Sequence, residues 1–109
     1  MKVYIAGPMS GYPDMNFPAF DKKAEELRVQ GYEVVSPAEK DRNNGYVADP
    51  NGVCTPEQYK AFLLEDLPLV AACDAIYMLR GWSRSKGARL ERHLAKVLGL
   101  TIWYEYGET

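Results

Sequence analysis

The residue of this sequence that is best suited to take part in a reaction is a glutamate on the apolar side of a helix. Residues 85–98 predict an α-helix, and about 100° of rotation per residue gathers its apolar side chains into one arc. The apolar arc consists of Gly87, Ala88, Leu90, Leu94, Ala95, Val97 and Leu98. Glu91 falls near the centre of this arc. Because burying an unpaired carboxylate costs several kcal/mol, Glu91 is either a functional acid or a structural residue that pairs with a basic group or extends to the rim of the buried face.

A group of residues suited to anion binding precedes Glu91 at the start of the same helix. This group combines hydroxyl groups and two cations with the free N–H groups of a helix end. Its members are Ser83, Arg84, Ser85, Lys86 and Gly87. Proteins bind phosphate with such groups. The alternative is an ordinary N-cap with solvated basic side chains, which would explain one serine but not the whole group.

Two further segments could complete a site. The loop from Gly7 to Pro13 follows the first predicted strand, and its glycines would let a ligand approach the backbone closely. It matches neither the dinucleotide-binding glycine pattern nor a Walker loop, and an ordinary strand-to-helix turn is the simpler interpretation. Of the adjacent acids Glu65 and Asp66, one could face a cleft and supply the second carboxyl group that glycosyl chemistry needs. An exposed acidic pair is the alternative.

An alternation of strands and helices is predicted to position these residues. The predicted strands span residues 2–6, 32–35, 74–79 and 100–103, and the predicted helices span 17–30, 55–72 and 85–98. Asn16 and Gly31 have the residue types expected just before and just after the first helix. Thr55, followed by Pro56 and Gln58, is typical of a capped helix start.

This alternation predicts an α/β fold with right-handed crossovers, a flavodoxin/Rossmann-like three-layer α/β/α arrangement around a four-stranded, mainly parallel sheet. Ligands bind such sheets at the carboxyl ends of the strands, which here lead into residues 7–15, 36–54 and 80–84. Within the second of these segments, residues 38–53 lack a hydrophobic period and predict a long surface loop. Glu91 is then expected at the floor of a cleft.

Length and composition predict one domain over residues 1–109 and exclude several classes of protein. The chain has 47% hydrophobic and 26% charged residues and a formal net charge of −2. This balance does not favour nucleic-acid polymers or membranes as partners, and no apolar run is long enough to span a bilayer. Two cysteines without metal-type spacing and a single histidine argue against a zinc site or a disulfide framework, so a cytoplasmic protein is expected.

The chain resembles the nucleoside 2-deoxyribosyltransferase-like superfamily, which includes deoxynucleoside 5′-monophosphate N-glycosidases. The resemblance covers nearly the whole chain. The segment from Tyr4 to Pro8 is similar to the family's first strand and loop, and residues 65–67 and 72–75 to its central helix and third strand. The segment from Ser85 to Glu91 is similar to its S-x-G-x-x-x-E signature. At Arg89 the family usually has Gly, and the larger side chain could reshape a sugar pocket.

The resemblance implies a role for each reacting group. Glu91 would attack the anomeric carbon of the sugar and form a glycosyl-enzyme intermediate, held by a hydrogen bond from Tyr4. Asp66 would protonate the departing nucleobase. Six residues before the Glu, enzymes acting on free nucleosides typically carry Asp, whereas the monophosphate N-glycosidases carry Ser. The presence of Ser85 between two cations therefore favours a nucleotide monophosphate.

The predicted substrate contacts come from the loops at this edge of the sheet and from aromatic side chains able to stack on a base. They are Gly7, Pro8, Met9, Ser10, Tyr12, Tyr46, Ser83, Arg84, Ser85 and Gly87. The predicted activity is cleavage or transfer of the N-glycosidic bond of a deoxynucleoside 5′-monophosphate, without metal or organic cofactor, by a homodimer or higher homo-oligomer. Three alternatives stay open: a transferase for free nucleosides, a nucleotide-binding module without chemistry, and an interaction subunit with a vestigial cleft.

Overall fold

Four short strands form one parallel sheet at the centre of the molecule. They are β1 (Lys2–Ala6), β2 (Glu33–Val35), β3 (Ala75–Met78) and β4 (Thr101–Tyr104). The strand order is β2-β1-β3-β4, and all three pairings are parallel. The structure, a computed structural model, describes residues 1–106, so the last three residues of the domain predicted over 1–109 lie outside the described residues. The predicted α/β fold with a parallel sheet is confirmed.

Four helices connect and cover the strands. They are α1 (Phe17–Val29), α2 (Pro37–Asn43), α3 (Pro56–Ala71) and α4 (Lys86–Val97). The predicted capping box starts α3, where the Thr55 side chain accepts from the Gln58 N–H and the Gln58 side chain accepts from the Thr55 N–H. Gly31 follows α1 with φ +95°. Helices α3 and α4 therefore begin, and α1 ends, where local side-chain chemistry favours it.

Alternation along β1 separates the two layers of the core. Val3 and Ile5 pack into the cluster that contains the inward side chains of α1. Tyr4 and Ala6 pack into the other cluster, with residues of α3 and α4. Successive side chains of a strand point to opposite faces, so the sheet is covered on both sides. This register directs Tyr4 toward α4.

The prediction of a long surface loop over residues 38–53 is wrong in its first part, which is helical. Helix α2 occupies Pro37–Asn43. It is held by ion pairs between Arg28 and Glu39 and between Arg42 and Asp21, with N···O distances of 2.6 and 2.8 Å. These partners come from α1, so the helix depends on tertiary contacts that a local sequence pattern does not show.

The apolar arc of α4 is wider than its buried face. Ala88, Glu91 and Ala95 are the buried residues of this helix. Three predicted members of the arc, Leu90, Val97 and Leu98, are instead exposed. The buried face of α4 is consequently a narrow strip of two alanines with Glu91 between them.

Two loops at the carboxyl edge of the sheet are joined through their backbones. We call residues 8–16 and 49–53 the paired loops. The Gly11 N–H donates to the carbonyl of Gly52 at 2.9 Å, and the Asp14 N–H donates to the carbonyl of Pro50 at 3.2 Å. The first loop follows β1 and the second precedes α3. Their pairing therefore fixes the backbone beside the cavity described below.

The first of the paired loops contains three consecutive non-glycine residues in the left-handed region. Asp14, Met15 and Asn16 have φ values of 54°, 55° and 61°. Each such residue costs on the order of 1 kcal/mol, least for Asp and Asn. Asn16 precedes α1 as predicted, but its side chain donates to the Pro8 carbonyl at 2.8 Å and makes no cap hydrogen bond. Burial of Met15 and this hydrogen bond hold the strained segment in place.

Substitution of Gly52 by Ala should open the paired loops. Gly52 has φ +74°, and a Cβ there would lie 2.3 Å from the Tyr12 carbonyl oxygen. Gly45, with φ +87° and no atom within 4 Å of such a Cβ, is the matched control for the conformational cost alone. We expect amide exchange across residues 8–16 to be at least about tenfold faster in Gly52→Ala, which corresponds to about 1.4 kcal/mol, and unchanged in Gly45→Ala. Equal exchange in both variants would contradict the steric argument.

Candidate active site

A cavity of about 450 Å³ opens at the carboxyl ends of the strands. Its walls come from the loop after β1, the segment leading into α3, α3 itself, and the start of α4. The lining residues are Gly7, Pro8, Met9, Ser10, Tyr12, Met15, Cys54, Tyr59, Phe62, Leu63, Asp66, Arg84, Ser85, Lys86, Gly87, Ala88 and Glu91. The cavity thus lies at the edge where the topology predicts a ligand site.

Glu91 lies on the cavity wall and is held by a hydrogen bond from the sheet. Glu91 is only 6% exposed, and the small side chains of Ala88 and Ala95 on the same helix face leave room beside it. The Tyr4 hydroxyl, which is fully buried, donates to Glu91 Oε2 at 2.6 Å. One carboxylate oxygen is therefore fixed by β1, and Oε1 is left for a ligand.

Asp66 is the second carboxylate of the cavity. It is buried on α3, whereas its neighbour Glu65 is exposed, so the structure brings only one of the two predicted acids to the cavity. The ammonium group of Lys40 lies 2.7 Å from Asp66 Oδ1 and 2.8 Å from Asp41 Oδ1, and donates a hydrogen bond to Glu65 Oε1 at 2.9 Å. Sequence analysis missed Lys40, because nothing local distinguishes it among 13 basic residues.

Burial shifts the protonation of both carboxyl groups. It raises the pKa of Glu91 to about 8, with the Tyr4 hydrogen bond and Lys40 opposing the shift and Asp66 adding to it. Burial also raises the pKa of Asp66 to about 6, against the lowering effect of Lys40. The pKa of Tyr4 is raised well above its usual value by burial and by Glu91, so Tyr4 stays a neutral donor. Near neutral pH the two carboxyl groups consequently hold about one proton between them, mainly on Glu91.

Another part of the cavity wall is the N-terminus of α4. The Ala88 N–H donates to Ser85 Oγ at 3.2 Å, so Ser85 is the N-cap of this helix. Arg84 and Lys86 also line the cavity here. A Cβ on Gly87 would lie 2.8 Å from the Tyr59 hydroxyl, so the glycine leaves room for this phenol at the helix start. Cations, N–H groups and hydroxyls thus meet where the helix dipole favours an anion.

Three residues that the sequence analysis associated with the site lie outside the cavity lining. Ser83 is exposed in the turn before α4, and Arg89 is exposed on α4, so neither narrows the cavity. Tyr46 packs against the rings of Phe62 and Phe17, with centroid distances of 5.0 and 6.2 Å, behind the wall. The remaining predicted binding residues all line the cavity, together with Tyr59, which sequence analysis did not single out.

The fold is that of a known class of transferases. The chain is similar to the solved structure of 2-deoxyribosyltransferase from the psychrotolerant bacterium Bacillus psychrosaccharolyticus, with a TM-score of 0.64 and 21% identity over 100% of this chain and 76% of that one. The chain belongs to the family described as a domain of unknown function (DUF4406), which matches residues 1–104. A comparison with curated proteins finds no significant match.

The described residues contain neither a candidate membrane-spanning helix nor a candidate metal-ligating group of side chains. Over residues 1–106, no helix is both long enough and apolar enough to cross a membrane. Within the same residues, no three His, Cys, Asp or Glu side chains are grouped so that they could hold a metal ion.

The raised pKa of Glu91 makes folding stability depend on pH. Because the pKa rises from 4.5 to about 8 on folding, the folded state binds the proton more tightly, and stability falls as pH increases across that interval. Glu91→Gln removes this effect. We expect its Tm to exceed that of the wild type by at least about 4 °C at pH 8 and by much less at pH 5. Thermal unfolding followed by circular dichroism measures both differences.

The matched control is Glu57→Gln, which changes an exposed glutamate of α3. Its Tm should follow the wild type at every pH. A Tm difference for Glu91→Gln that is the same at pH 5 and pH 8 would contradict the burial of an ionisable carboxyl at this position.

Proposed function

We propose that this protein cleaves or transfers the N-glycosidic bond of a deoxynucleoside 5′-monophosphate. The observation that carries the proposal is the composition of one cavity, in which Glu91 and Asp66 line one part and the capped N-terminus of α4 lines another. Glycosyl transfer is commonly catalysed by a pair of carboxyl groups, and a helix N-terminus is suited to binding a phosphate. Similarity of fold to a 2-deoxyribosyltransferase supports the same class of reaction.

In the proposed reaction Glu91 is the nucleophile and Asp66 the acid. Since Tyr4 occupies Oε2, Oε1 of Glu91 forms the bond to the anomeric carbon. The bond from that carbon to the base breaks, and the base takes a proton from Asp66. Water or a second base then attacks the anomeric carbon, the bond from that carbon to Glu91 Oε1 breaks and restores the Glu91 carboxylate, and the attacking group gives up a proton to Asp66. Neither step requires a metal or an organic cofactor.

The single proton that Glu91 and Asp66 hold between them near neutral pH is compatible with these roles. The reactive form needs Glu91 ionised and Asp66 protonated, which is the same total of one proton that these two groups hold near neutral pH. Only the position of the proton differs. A substrate whose anomeric carbon gains positive charge stabilises the Glu91 carboxylate, and a base that accepts a hydrogen bond from Asp66 favours the proton there.

A monophosphate is favoured over a free nucleoside by the charge at the α4 end of the cavity. Arg84, Lys86 and the first N–H groups of α4 surround Ser85. A negative side chain at position 85 would repel a phosphate, whereas a serine hydroxyl can donate to it. The Tyr59 hydroxyl, close to Gly87, adds a further donor for the same anion.

We propose in addition that the protein is a cytoplasmic homo-oligomer. Leu90, Val97 and Leu98 are exposed on α4, and together with the half-buried Leu94 they fall within about 100° of the helix circumference. An exposed apolar row of this kind is typical of a surface that another subunit covers. Cys54 and Cys73 are both free, which fits a reducing compartment.

Incubation with a panel of deoxynucleoside monophosphates should release free base, detectable by chromatography, and a second added base would reveal transfer. Glu91→Gln should reduce the release on the order of 10³-fold or more, because the nucleophile is lost. Glu57→Gln should retain full activity. Base release that persists in Glu91→Gln would exclude the mechanism, and tight binding without turnover by the wild type would favour the nucleotide-binding module.

Substitutions of Ser85 test binding of the phosphate separately from binding of the rest of the substrate. Asp and Asn both cap helices well and are nearly equal in size, so Ser85→Asp and Ser85→Asn differ mainly in charge. We expect Ser85→Asp to weaken binding of the monophosphate at least about tenfold more than binding of the nucleoside, through repulsion of the phosphate. Ser85→Asn should affect the two ligands alike. Calorimetric titration measures these affinities, and equal losses in Ser85→Asp would argue against a phosphate at this position.

A further inference from the structure

Lys40 lies behind the cavity wall with its ammonium group among three carboxylates. The N···O distances to Asp66, Asp41 and Glu65 are 2.7, 2.8 and 2.9 Å, and the Lys40 side chain is 17% exposed. Lys40 is not among the cavity-lining residues, so it does not reach the space that a substrate would occupy. Its contact with the cavity is through Asp66.

The contact fixes one oxygen of Asp66. With Oδ1 paired to Lys40, Oδ2 is the oxygen left to meet a ligand. The Lys40 ammonium also lies 5.5 Å from the ring centroid of Phe62, which lines the cavity beside Asp66. Asp41, itself buried, holds the same ammonium from within α2. Lys40 is therefore restrained by several groups and can orient Asp66 in turn.

We propose that Lys40 is the positioning residue of this site, holding Asp66 by Oδ1 so that Oδ2 carries the proton to the departing base and the resulting carboxylate remains paired. The inference rests on the proposed function. As the bond between the anomeric carbon and the base breaks, the proton moves from Asp66 Oδ2 to the base, and Lys40 keeps its own protons throughout. Asp66 then stands as an anion beside Lys40 until water or an acceptor base returns a proton.

The charges around Lys40 support this division of roles. Although burial lowers its pKa, the ion pairs with Asp41, Asp66 and Glu65 raise it above the usual value, so Lys40 stays charged. Lys40 in turn lowers the pKa of Asp66 and, more weakly, that of Glu91. The titratable groups that face this cluster are Tyr4 from β1, Asp41 from α2, Glu65 and Asp66 from α3 and Glu91 from α4. Lys40 is the cation that offsets their charge.

Substitution of Lys40 should lower kcat for those substrates whose base must be protonated as it leaves. A purine deoxynucleotide methylated at N7 leaves as a neutral base without taking up a proton, so it bypasses Asp66. With an ordinary deoxynucleotide, Lys40→Met should lower kcat at least about tenfold and leave KM within about twofold. With the methylated substrate, kcat should change less than about twofold. Lys40→Arg should restore most of the activity, and Lys60→Met, which removes an exposed lysine of α3, should behave as the wild type.

Two results would overturn the proposal. One is an equal loss on both substrates, which would indicate a structural role. The other is a kcat for the ordinary substrate that Lys40→Met leaves unchanged. If Lys40→Met does not fold, Lys40→Gln, which keeps an N–H donor without the charge, should show the same selective loss at smaller size.

A titration that needs no turnover separates this proposal from the proposed function. In protein labelled with ¹³C at aspartate carboxyl carbons, the pKa of Asp66 should be higher in Lys40→Met than in the wild type. This result is expected even if Glu91→Gln and the substrate panel exclude glycosyl transfer. An Asp66 titration that Lys40→Met does not move would refute the role of Lys40 whatever the reaction.

Discussion

The burial of two carboxyl groups beside one cavity is the constraint on which the rest of this structure depends. An uncompensated charge at either Glu91 or Asp66 would cost several kcal/mol, a large share of the 5–15 kcal/mol typical of a domain's stability. Tyr4 offsets part of the first cost by a hydrogen bond, although burial still raises the pKa of Glu91 to about 8, and Lys40 offsets the second by an ion pair. The alternation of β1 and the position of α2 are therefore tied to the chemistry of the cavity.

The same burial connects stability with the proposed activity. Glu91 is costly to ionise because α4 presents it between two alanines instead of to solvent, and this poor solvation is also what would make its carboxylate reactive. In the proposed reaction, the preference of the α4 N-terminus for negative charge would let one small cavity hold both an anion and a carbon that becomes cationic. Strain at Asp14, Met15 and Asn16 is the accompanying cost in the backbone.

Much of the fold follows from local signals, whereas part of the site does not. The capping box at Thr55 and the periodic placement of Glu91 depend on near neighbours, so the sequence predicts α3, α4 and the acidic residue that faces the cavity. Helix α2 was not predicted because it is held by ion pairs with another element, such as the pair between Arg28 of α1 and Glu39, which a local pattern does not show. Lys40 was not predicted for the same reason: of its three acidic partners, Glu65 and Asp66 become neighbours only when α2 meets α3.

Helix α4 sets a fixed length within the cavity. Six residues separate Ser85 at its cap from Glu91, and at a rise of 1.5 Å per residue they lie about 9 Å apart along the axis. The helix thus fixes the distance between its own N-terminus and the Glu91 carboxylate. One inserted residue would turn Glu91 by about 100° and take it off the cavity wall. We therefore expect changes of ligand size to be accommodated by the paired loops, and the spacing within α4 to tolerate substitution but not insertion.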